Sequence, residues 1–300
     1  MPSLVNAEPR VLGSLGPVGP IAYGQWRADT GDVAAAGRLV ETALDAGLNL
    51  IDTADIYGFE ADGTGFGAVE DLLGRVLAGA PGLRDRMVLA TKGGIRPPLP
   101  YDSSPGHLTA ACEDSLRRLG VDTIDLFQIH RPDLYAHPAA VAGTLAGLRE
   151  SGKIREVGVS NHTVAQTNAL QAHLPFPLVS TQPEFSVTTL DPMFDGTFDL
   201  CTATGLTALA WSPLAGGRLA TGDDVDAAVL GLLDEIADRE GVDRSVVALA
   251  FVLAHPAEPV AIIGTQQPQR IIDSARALEV HLDRTDVYAL IEASTGERLP

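Results

Sequence analysis

Residues 43–58 read ALDAGLNLIDTADIYG, and their pattern gives the clearest indication of the fold. The first of these residues are typical of the end of a helix, and Gly47 can close that helix in the left-handed conformation. The apolar run Leu48–Ile51 then predicts a short strand that is covered on both faces. The segment DTADIY follows, which carries Asp52, Asp55 and Tyr57. The stretch therefore predicts a helix, a glycine, a buried strand and a polar loop.

The same order recurs along the chain. Helical patterns are predicted at Val33–Ala46 and around Thr109–Leu119, and further glycines precede apolar runs at Gly120, Gly152 and Gly205. About eight strands are predicted: near Val18–Tyr23, then Leu48–Ile51, Met87–Thr91, Thr123–Ile129, Ile154–Val159, Leu178–Gln182, Thr207–Trp211 and Pro259–Ile263. Strands that alternate with helices in this way form a parallel sheet.

Two architectures fit a parallel sheet of this size, a closed (β/α)8 barrel and an open doubly wound sheet. A dinucleotide-binding open sheet carries its glycine-rich turn directly between the first strand and its helix. The glycine clusters Gly13–Gly16 and Gly63–Gly67 do not stand at such a turn, and no linker or composition shift marks a second domain. The sequence favours one α/β domain over residues 1–300, a (β/α)8 TIM barrel, with loops 93–106 and 211–226 as walls or lid of the active site.

The apolar content and the net charge of the chain limit the classes of partner that it can bind. With 300 residues, 45% of them apolar, the chain can bury a large single core. A net charge of −18 disfavours nucleic acid and anionic membranes as partners. No apolar run is long enough to span a membrane, and residues 1–10 have no signal-peptide core, so we expect a soluble cytoplasmic protein. Cys112 and Cys201 lie in separate predicted helices and are interpreted as inert buried thiols.

Functional side chains are expected at the carboxyl ends of the barrel strands. These positions carry an acid, a phenol, an ammonium, an imidazole, amides, hydroxyls and an indole, on Asp52, Tyr57, Lys92, His130, Ser160, Asn161, Gln182, Trp211, Ser212 and Thr265, the last beside Gly264. Taken singly, each has a simpler structural explanation; Asn161, for example, could cap a helix at Thr163–Ala172. Together they would bring ionisable groups of three successive strands to one barrel mouth, which is typical of a functional site.

This set suggests proton transfer. Lowering the pKa of a tyrosine from near 10 to around 7 takes about 4 kcal/mol, and an ammonium at about 4 Å in an effective dielectric near 20 supplies roughly that. We expect Lys92 to do this for Tyr57, with Asp52 holding Lys92 charged. His130 could hydrogen-bond the phenol or a substrate oxygen. Lys92 is noteworthy because only two of the 21 basic residues are lysines.

A hydride source would complete a carbonyl reduction. Asn161 and Gln182 could hold a carboxamide, and the indole of Trp211 could lie against a flat ring, which suggests nicotinamide. Other chemistries fit less well. The sequence has no Cys or His cluster at metal-ligand spacing, no phosphate-loop motif and no Gly-x-Ser-x-Gly elbow.

Over nearly its whole length the chain resembles the aldo-keto reductase family. The resemblance is carried by five segments in matching order and spacing: DTADIYG at 52–58, LATK at 89–92, QIHRPD at 128–133, VGVSN at 157–161 and AWSPL at 210–214. It implies a (β/α)8 barrel that binds NADPH across its mouth and reduces aldehydes and ketones, or oxidises the corresponding alcohols.

When the family's residue roles are assigned to the matching positions of this sequence, the resemblance implies that Tyr57 is the general acid in reduction and the general base in oxidation. Its expected supporting residues are Asp52, Lys92 and His130. The expected cofactor contacts are Ser160, Asn161, Gln182 and Trp211 at the nicotinamide, Ser212, Leu214, Gly216 and Arg218 at the phosphates, and Gly264, Gln266, Arg270, Asp273 and Ser274 at the adenosine end, where Arg270 is expected to open a helix. The substrate pocket is expected to include Trp26 and Arg96.

The sequence departs from the family pattern near the phosphates. Gln266 and Gln267 stand where a basic residue often precedes the arginine at 270, so we expect NADP(H) with weaker discrimination against NAD(H). Three functions stay open: a reductase of a small carbonyl substrate, a cofactor-sensing regulatory subunit with slow turnover, and a sugar or alcohol dehydrogenase working in the oxidative direction. The sequence does not define the substrate or the oligomeric state.

Overall fold

The computed structural model describes residues 1–28, 31–60 and 64–299. An antiparallel hairpin, β1 (Arg10–Val11) and β2 (Pro17–Val18), precedes a closed barrel of eight parallel strands. The barrel strands are β3 (Ile21–Gly24), β4 (Leu50–Asp52), β5 (Val88–Gly93), β6 (Ile124–Ile129), β7 (Ile154–Ser160), β8 (Ser180–Gln182), β9 (Thr207–Ala210) and β10 (Val260–Ile263). The barrel closes where β10 pairs with β3. The predicted fold class is confirmed.

Helices follow each strand of the barrel, and the last two helices follow β10. They are α1 (Val33–Asp45), α2 (Ala68–Gly79), α3 (Pro105–Leu119), α4 (Pro138–Glu150), α5 (Val164–Gln171), α6 (Thr197–Thr204), α7 (Arg218–Thr221), α8 (Ala227–Glu240), α9 (Arg244–Leu253), α10 (Pro268–Ser274) and α11 (Arg284–Thr295). The predicted use of glycine at helix ends is confirmed, for example at Gly120, which closes α3 with φ +66°.

The structure corrects the strand predicted near Val18–Tyr23. Val18 belongs to β2, where it pairs antiparallel with Arg10, and the barrel strand begins only at Ile21. Between them the amide of Gly19 donates to the side chain of Asn49 at 2.8 Å. Pro20 has no amide hydrogen to donate, although its carbonyl accepts from the Ala261 amide of β10 at 2.9 Å.

Two helix starts also differ from the sequence interpretation. Helix α10 begins at Pro268 rather than at Arg270, since proline is favoured in the first helical turn. Asn161 does not cap α5; the cap is Thr163, which forms a reciprocal capping box with Gln166. The 211–226 segment contains a helix of its own, α7. Gly63, in the second predicted glycine cluster, lies outside the described residues.

The core has two parts. One apolar cluster fills the barrel, and it contains Leu12, Val18, Ala22, Leu50, Val88, Ala90, Leu126, Val179, Leu209, Val260 and Ile262. A larger cluster lies between strands and helices, and alternate residues of β6 divide between the two, with Leu126 in the first and Phe127 in the second. Further along β6, Gln128 is buried and bonded to Asp52, so polar side chains follow the apolar cluster towards the strand ends.

The two cysteines are buried and unpaired, Cys112 in α3 and Cys201 in α6, as predicted. Burial raises the pKa of each thiol to about 12, which suits unreactive side chains. Among the residues that the structure describes, no helix has the length and apolar character needed to cross a membrane.

Candidate active site

The loop after β4 is held against β5 by its backbone. The amide of Thr53 donates to the carbonyl of Ala90 at 2.9 Å, and the amide of Asp55 donates to the carbonyl of Lys92 at 3.1 Å. These bonds continue the β4–β5 pairing beyond Asp52, the last residue of β4. The loop therefore brings Tyr57 back over the end of β5.

Lys92 is the centre of the site. Its side chain is fully buried, and its ammonium donates to Asp52 Oδ2 at 2.6 Å, to the Thr53 carbonyl at 2.9 Å and to Tyr57 Oη at 3.0 Å. Burial lowers the pKa of Lys92, but the Asp52 carboxylate and the Tyr57 oxygen together outweigh it, so the net pKa is raised. The ammonium therefore stays charged, as predicted.

The prediction that Lys92 brings the Tyr57 phenol near neutrality is wrong. Burial raises the pKa of Tyr57 more strongly than the ammonium lowers it, and the Asp52 carboxylate adds to the increase. Desolvation of the phenolate is the physical reason. The phenol therefore keeps its proton at neutral pH.

His130 lies beside the phenol. The two rings meet edge to face, with centroids 5.9 Å apart and planes at 78°. Burial, assisted by the charges of Lys92 and Arg131, holds the pKa of His130 well below its usual range, so the imidazole is neutral. Its buried Nδ1 has no hydrogen-bond partner in the described part of the chain. We call Asp52, Tyr57, Lys92 and His130 the Tyr57 cluster.

A chain of hydrogen bonds joins the other strand ends to this cluster. Trp211 Nε1 donates to Asn161 Oδ1 at 3.1 Å, and Asn161 Nδ2 donates to Ser160 Oγ at 2.8 Å. Ser160 Oγ donates to the Gln182 carbonyl, and Gln182 Nε2 donates to Asp52 Oδ1 at 3.1 Å. The structure therefore brings these four residues together beside the Tyr57 cluster.

The segment after β9 turns sharply. Ser212 has φ +54°, its hydroxyl accepts from the Gly216 amide at 2.8 Å, and Leu214 lies between them, partly buried. Arg218 donates to the Ala215 carbonyl and pairs with Asp224 at 3.3 Å. Some of the N–H donors of the Arg218 guanidinium are therefore engaged by partners within the segment itself.

Sequence reasoning missed a second cation at this segment. Arg27, in the loop after β3, donates to the Gly216 carbonyl at 2.7 Å and stacks near Trp26 at 5.3 Å. The bond joins the loop after the first barrel strand to the segment after the seventh. The only sequence signal was its position next to Trp26.

The loop after β10 holds the residues expected at the adenosine end. Gln266 donates to the hydroxyl of Tyr23 at 3.3 Å, beyond Gly264 at the end of β10. Arg270 is exposed and has no hydrogen bond or ion pair with another described residue. Asp273 accepts from Gln269, and Ser274 is buried with its hydroxyl donating to the Ile271 carbonyl at 2.6 Å. Arg270 is therefore the most accessible of these side chains.

The two residues expected at the substrate pocket are exposed. Trp26 is 65% exposed, and Arg96 pairs with Asp102 at 2.9 Å in the loop after β5. The backbone amide of Ser103 in the same loop donates to Asp133 at 2.8 Å, which ties this loop to the one after β6.

Further polar residues at the site were not singled out in the sequence. Gln128 donates to Asp52 and accepts from Ser180, and its position two residues before His130 on the same strand was the available signal. Asp55 is fully buried, and neither carboxylate oxygen has a hydrogen-bond partner within residues 1–28, 31–60 and 64–299. Arg131 and Glu184 also flank the site.

Comparison with known proteins agrees with this geometry. The model of the Aldo/keto reductase family matches residues 20–294. A protein of Novosphingobium aromaticivorans named 6-dehydroglucose reductase is 53% identical, over 97% of this chain and 97% of its own length. A 6-dehydroglucose reductase of Agrobacterium fabrum is 36% identical, over 93% of this chain and 95% of its own length.

A crystal structure supports the same assignment. The aldo/keto reductase of Klebsiella pneumoniae in complex with NADP and acetate superposes with a TM-score of 0.77 and 25% identity, covering 95% of this chain and 94% of its own. The closed barrel, the matched residues and these relatives lead to one conclusion: this chain belongs to the aldo/keto reductase family and is an NAD(P)H-dependent oxidoreductase.

Proposed function

We propose that this protein reduces an aldehyde or ketone to the alcohol, with Tyr57 giving a proton to the carbonyl oxygen. The observation that carries the proposal is the partly buried contact of Tyr57 Oη with Lys92 Nζ at 3.0 Å, where Lys92 is itself paired with Asp52. Because the ammonium donates to the phenol oxygen, the phenol's own proton is free to point elsewhere.

Each residue of the Tyr57 cluster has a separate role in the transfer of this proton. As Tyr57 releases it, negative charge develops on Oη, and the fully buried ammonium of Lys92 stabilises that charge. Asp52 holds the ammonium in place. The imidazole of His130 can donate a hydrogen bond to the substrate oxygen, and because it is neutral it places no second positive charge beside the Lys92 ammonium. In the oxidative direction the same groups take the proton back.

The cofactor is NADP(H), which when bound supplies the hydride. The polar groups of Ser160 and Asn161 next to the Trp211 indole suit a carboxamide on a flat ring. Arg218 would hold the phosphates beside the turn at Gly216, with Arg27 as an additional cation. Arg270, exposed and unpaired in the described structure, would meet the adenosine 2′-phosphate.

The preference for NADPH over NADH is proposed to be modest. The neighbouring Gln266 carries no charge, and its amide already donates to Tyr23. One guanidinium is therefore left to distinguish the two cofactors by charge.

The substrate is proposed to be a small sugar-like aldehyde. Two relatives that match over more than nine tenths of this chain are named 6-dehydroglucose reductase. Reducing such a C6 aldehyde would give the primary alcohol of glucose. The exposed indole of Trp26 suits contact with the apolar face of a sugar ring. We also propose a cytoplasmic location, which the two unpaired buried thiols favour.

The test is reduction of a panel of aldehydes, ketones and sugar aldehydes, followed by loss of NADPH absorbance. The wild type should turn over at least one compound, and Tyr57→Phe should be slower by a factor of about 10²–10⁴. Cofactor affinity, measured by protein fluorescence, should be unchanged in this variant, which controls for folding. Reduction by Tyr57→Phe at the wild-type rate would refute the assignment.

A further inference from the structure

Arg131 is a partly buried cation that the proposed mechanism leaves unused. It follows His130 directly at the end of β6, and its guanidinium carbon lies 5.9 Å from the centroid of the Trp211 ring. Its positive charge acts to lower the pKa of both Tyr57 and His130. It makes no hydrogen bond or ion pair with any residue in the described ranges.

Glu184 is a second partly buried charged residue beside Trp211. It stands two residues after the end of β8 and forms a backbone bridge with Trp211, where the Trp211 amide donates to the Pro183 carbonyl at 3.0 Å. Its partly buried carboxylate likewise has no hydrogen bond or ion pair among the described side chains. Burial raises its pKa, against the charges of Arg218 and Arg131.

Most other charges at the barrel mouth are paired. Lys92 pairs with Asp52, Arg96 with Asp102 and Arg218 with Asp224. Keeping a partly desolvated cation and anion without partners costs free energy unless a ligand satisfies them. Arg131 supplies up to five N–H donors and Glu184 supplies acceptors only, so the two together match groups that both accept and donate.

We propose that Arg131 and Glu184 bind the hydroxyl groups of a neutral polyhydroxylated aldehyde and select it over a plain aldehyde of the same length. This inference rests on the proposed function and identifies the residues that would set its substrate class. Hydroxyls can accept from the guanidinium and donate to the carboxylate at once. The carbonyl end would then face Tyr57 and His130.

The charges at the mouth favour a neutral substrate over an anionic one. An anion could pair with Arg131, but the carboxylate of Glu184, whose backbone bridges to Trp211, is close enough to interact electrostatically with Arg131 and would repel the anion. The net charge of −18 adds long-range repulsion. The pairs within the Tyr57 cluster and the loop after β5 contribute no net charge.

The first arm of the test compares two three-carbon aldehydes, glyceraldehyde and propanal. Arg131→Gln should lower kcat/KM for glyceraldehyde at least tenfold, mainly through a higher KM, while kcat/KM for propanal changes less than twofold. Glu184→Gln should also lower the ratio of kcat/KM for glyceraldehyde to kcat/KM for propanal. Arg117→Gln, an exposed arginine on α3, is the matched control and should change neither. Equal losses for both aldehydes, or no loss for either, would overturn the inference.

The second arm does not depend on turnover. The enzyme saturated with NADP⁺ is titrated with glucose and, separately, with glucuronate by calorimetry. The wild type should bind glucose at least tenfold more tightly than Arg131→Gln does, with NADP⁺ affinity equal in both. If glucose affinity is unchanged, or if only glucuronate weakens, Arg131 is not a hydroxyl receptor. Failure of the wild type to reduce any aldehyde would refute the proposed function alone.

Discussion

The ammonium of Lys92 lies 2.6 Å from the carboxylate of Asp52, and neither side chain is more than 3% exposed. Removing one member of a buried pair leaves the other charge without compensation. Asp52→Asn should therefore lower the free energy of unfolding by about 3–5 kcal/mol, measured by denaturant titration. The control is Asp45→Asn, which breaks an exposed pair with Arg86 and should cost at most about 1 kcal/mol. Similar losses in both variants would contradict the prediction.

The raised pKa of Tyr57 predicts the pH profile of reduction. The phenol stays protonated below its ordinary value near 10, and His130 stays neutral because its pKa is lowered well below 6.5. We expect kcat for reduction to be constant from pH 6 to 9 and to fall only above that range. Stopped-flow measurement of hydride transfer at saturating NADPH tests this. An inflection near pH 7 that shifts in Lys92→Met would revive the expectation of an acidified phenol.

Asp55 predicts a pH-dependent stability. Burial, and then the charge of Glu70, raise its pKa in the folded protein well above 3.8. Such a group contributes its full stability below the unfolded pKa and loses it as pH rises through the folded pKa. The unfolding free energy of Asp55→Asn relative to wild type should therefore increase with pH from about 4 upward, by up to about 1.4 kcal/mol per unit.

Denaturant titrations of both proteins at pH 5, 6, 7 and 8 measure this difference. Asp71→Asn, on α2, controls for general charge effects, since its side chain is exposed. A difference between wild type and Asp55→Asn that does not vary with pH would show that the carboxyl ionises freely in the folded state.

Arg270 predicts the cofactor preference. A lone exposed guanidinium can bind a 2′-phosphate but has nothing to bind on NADH, so Arg270→Ala should weaken NADPH about tenfold and NADH less than twofold. Dissociation constants from fluorescence titration at low and high salt measure both. Arg276→Ala is the control. Arg276 lies two residues after the end of α10, and its guanidinium is already engaged because it donates to the Gly241 carbonyl. Wild-type binding of NADH tenfold tighter than NADPH would reject the proposed preference.

Much of the fold and of the Tyr57 cluster was predictable because local patterns determine both. Apolar runs after glycines such as Gly47 marked the strands, and parallel strands end at one edge, so Asp52 and Lys92 had to meet there. The pKa of Tyr57 was not predictable, since it depends on burial. The contact of Arg27 with Gly216 joins residues 189 positions apart and leaves no local pattern.

The pairing of β3 with β10 has a consequence for biosynthesis. Tyr23 is among the first barrel residues to leave the ribosome, whereas its partner Ile263 is translated 240 residues later. The earlier strands can associate in order, but the ring cannot be completed until β10 has left the ribosome. Until then the edges of β3 and of the growing sheet stay open, and nascent chains need protection from pairing with one another.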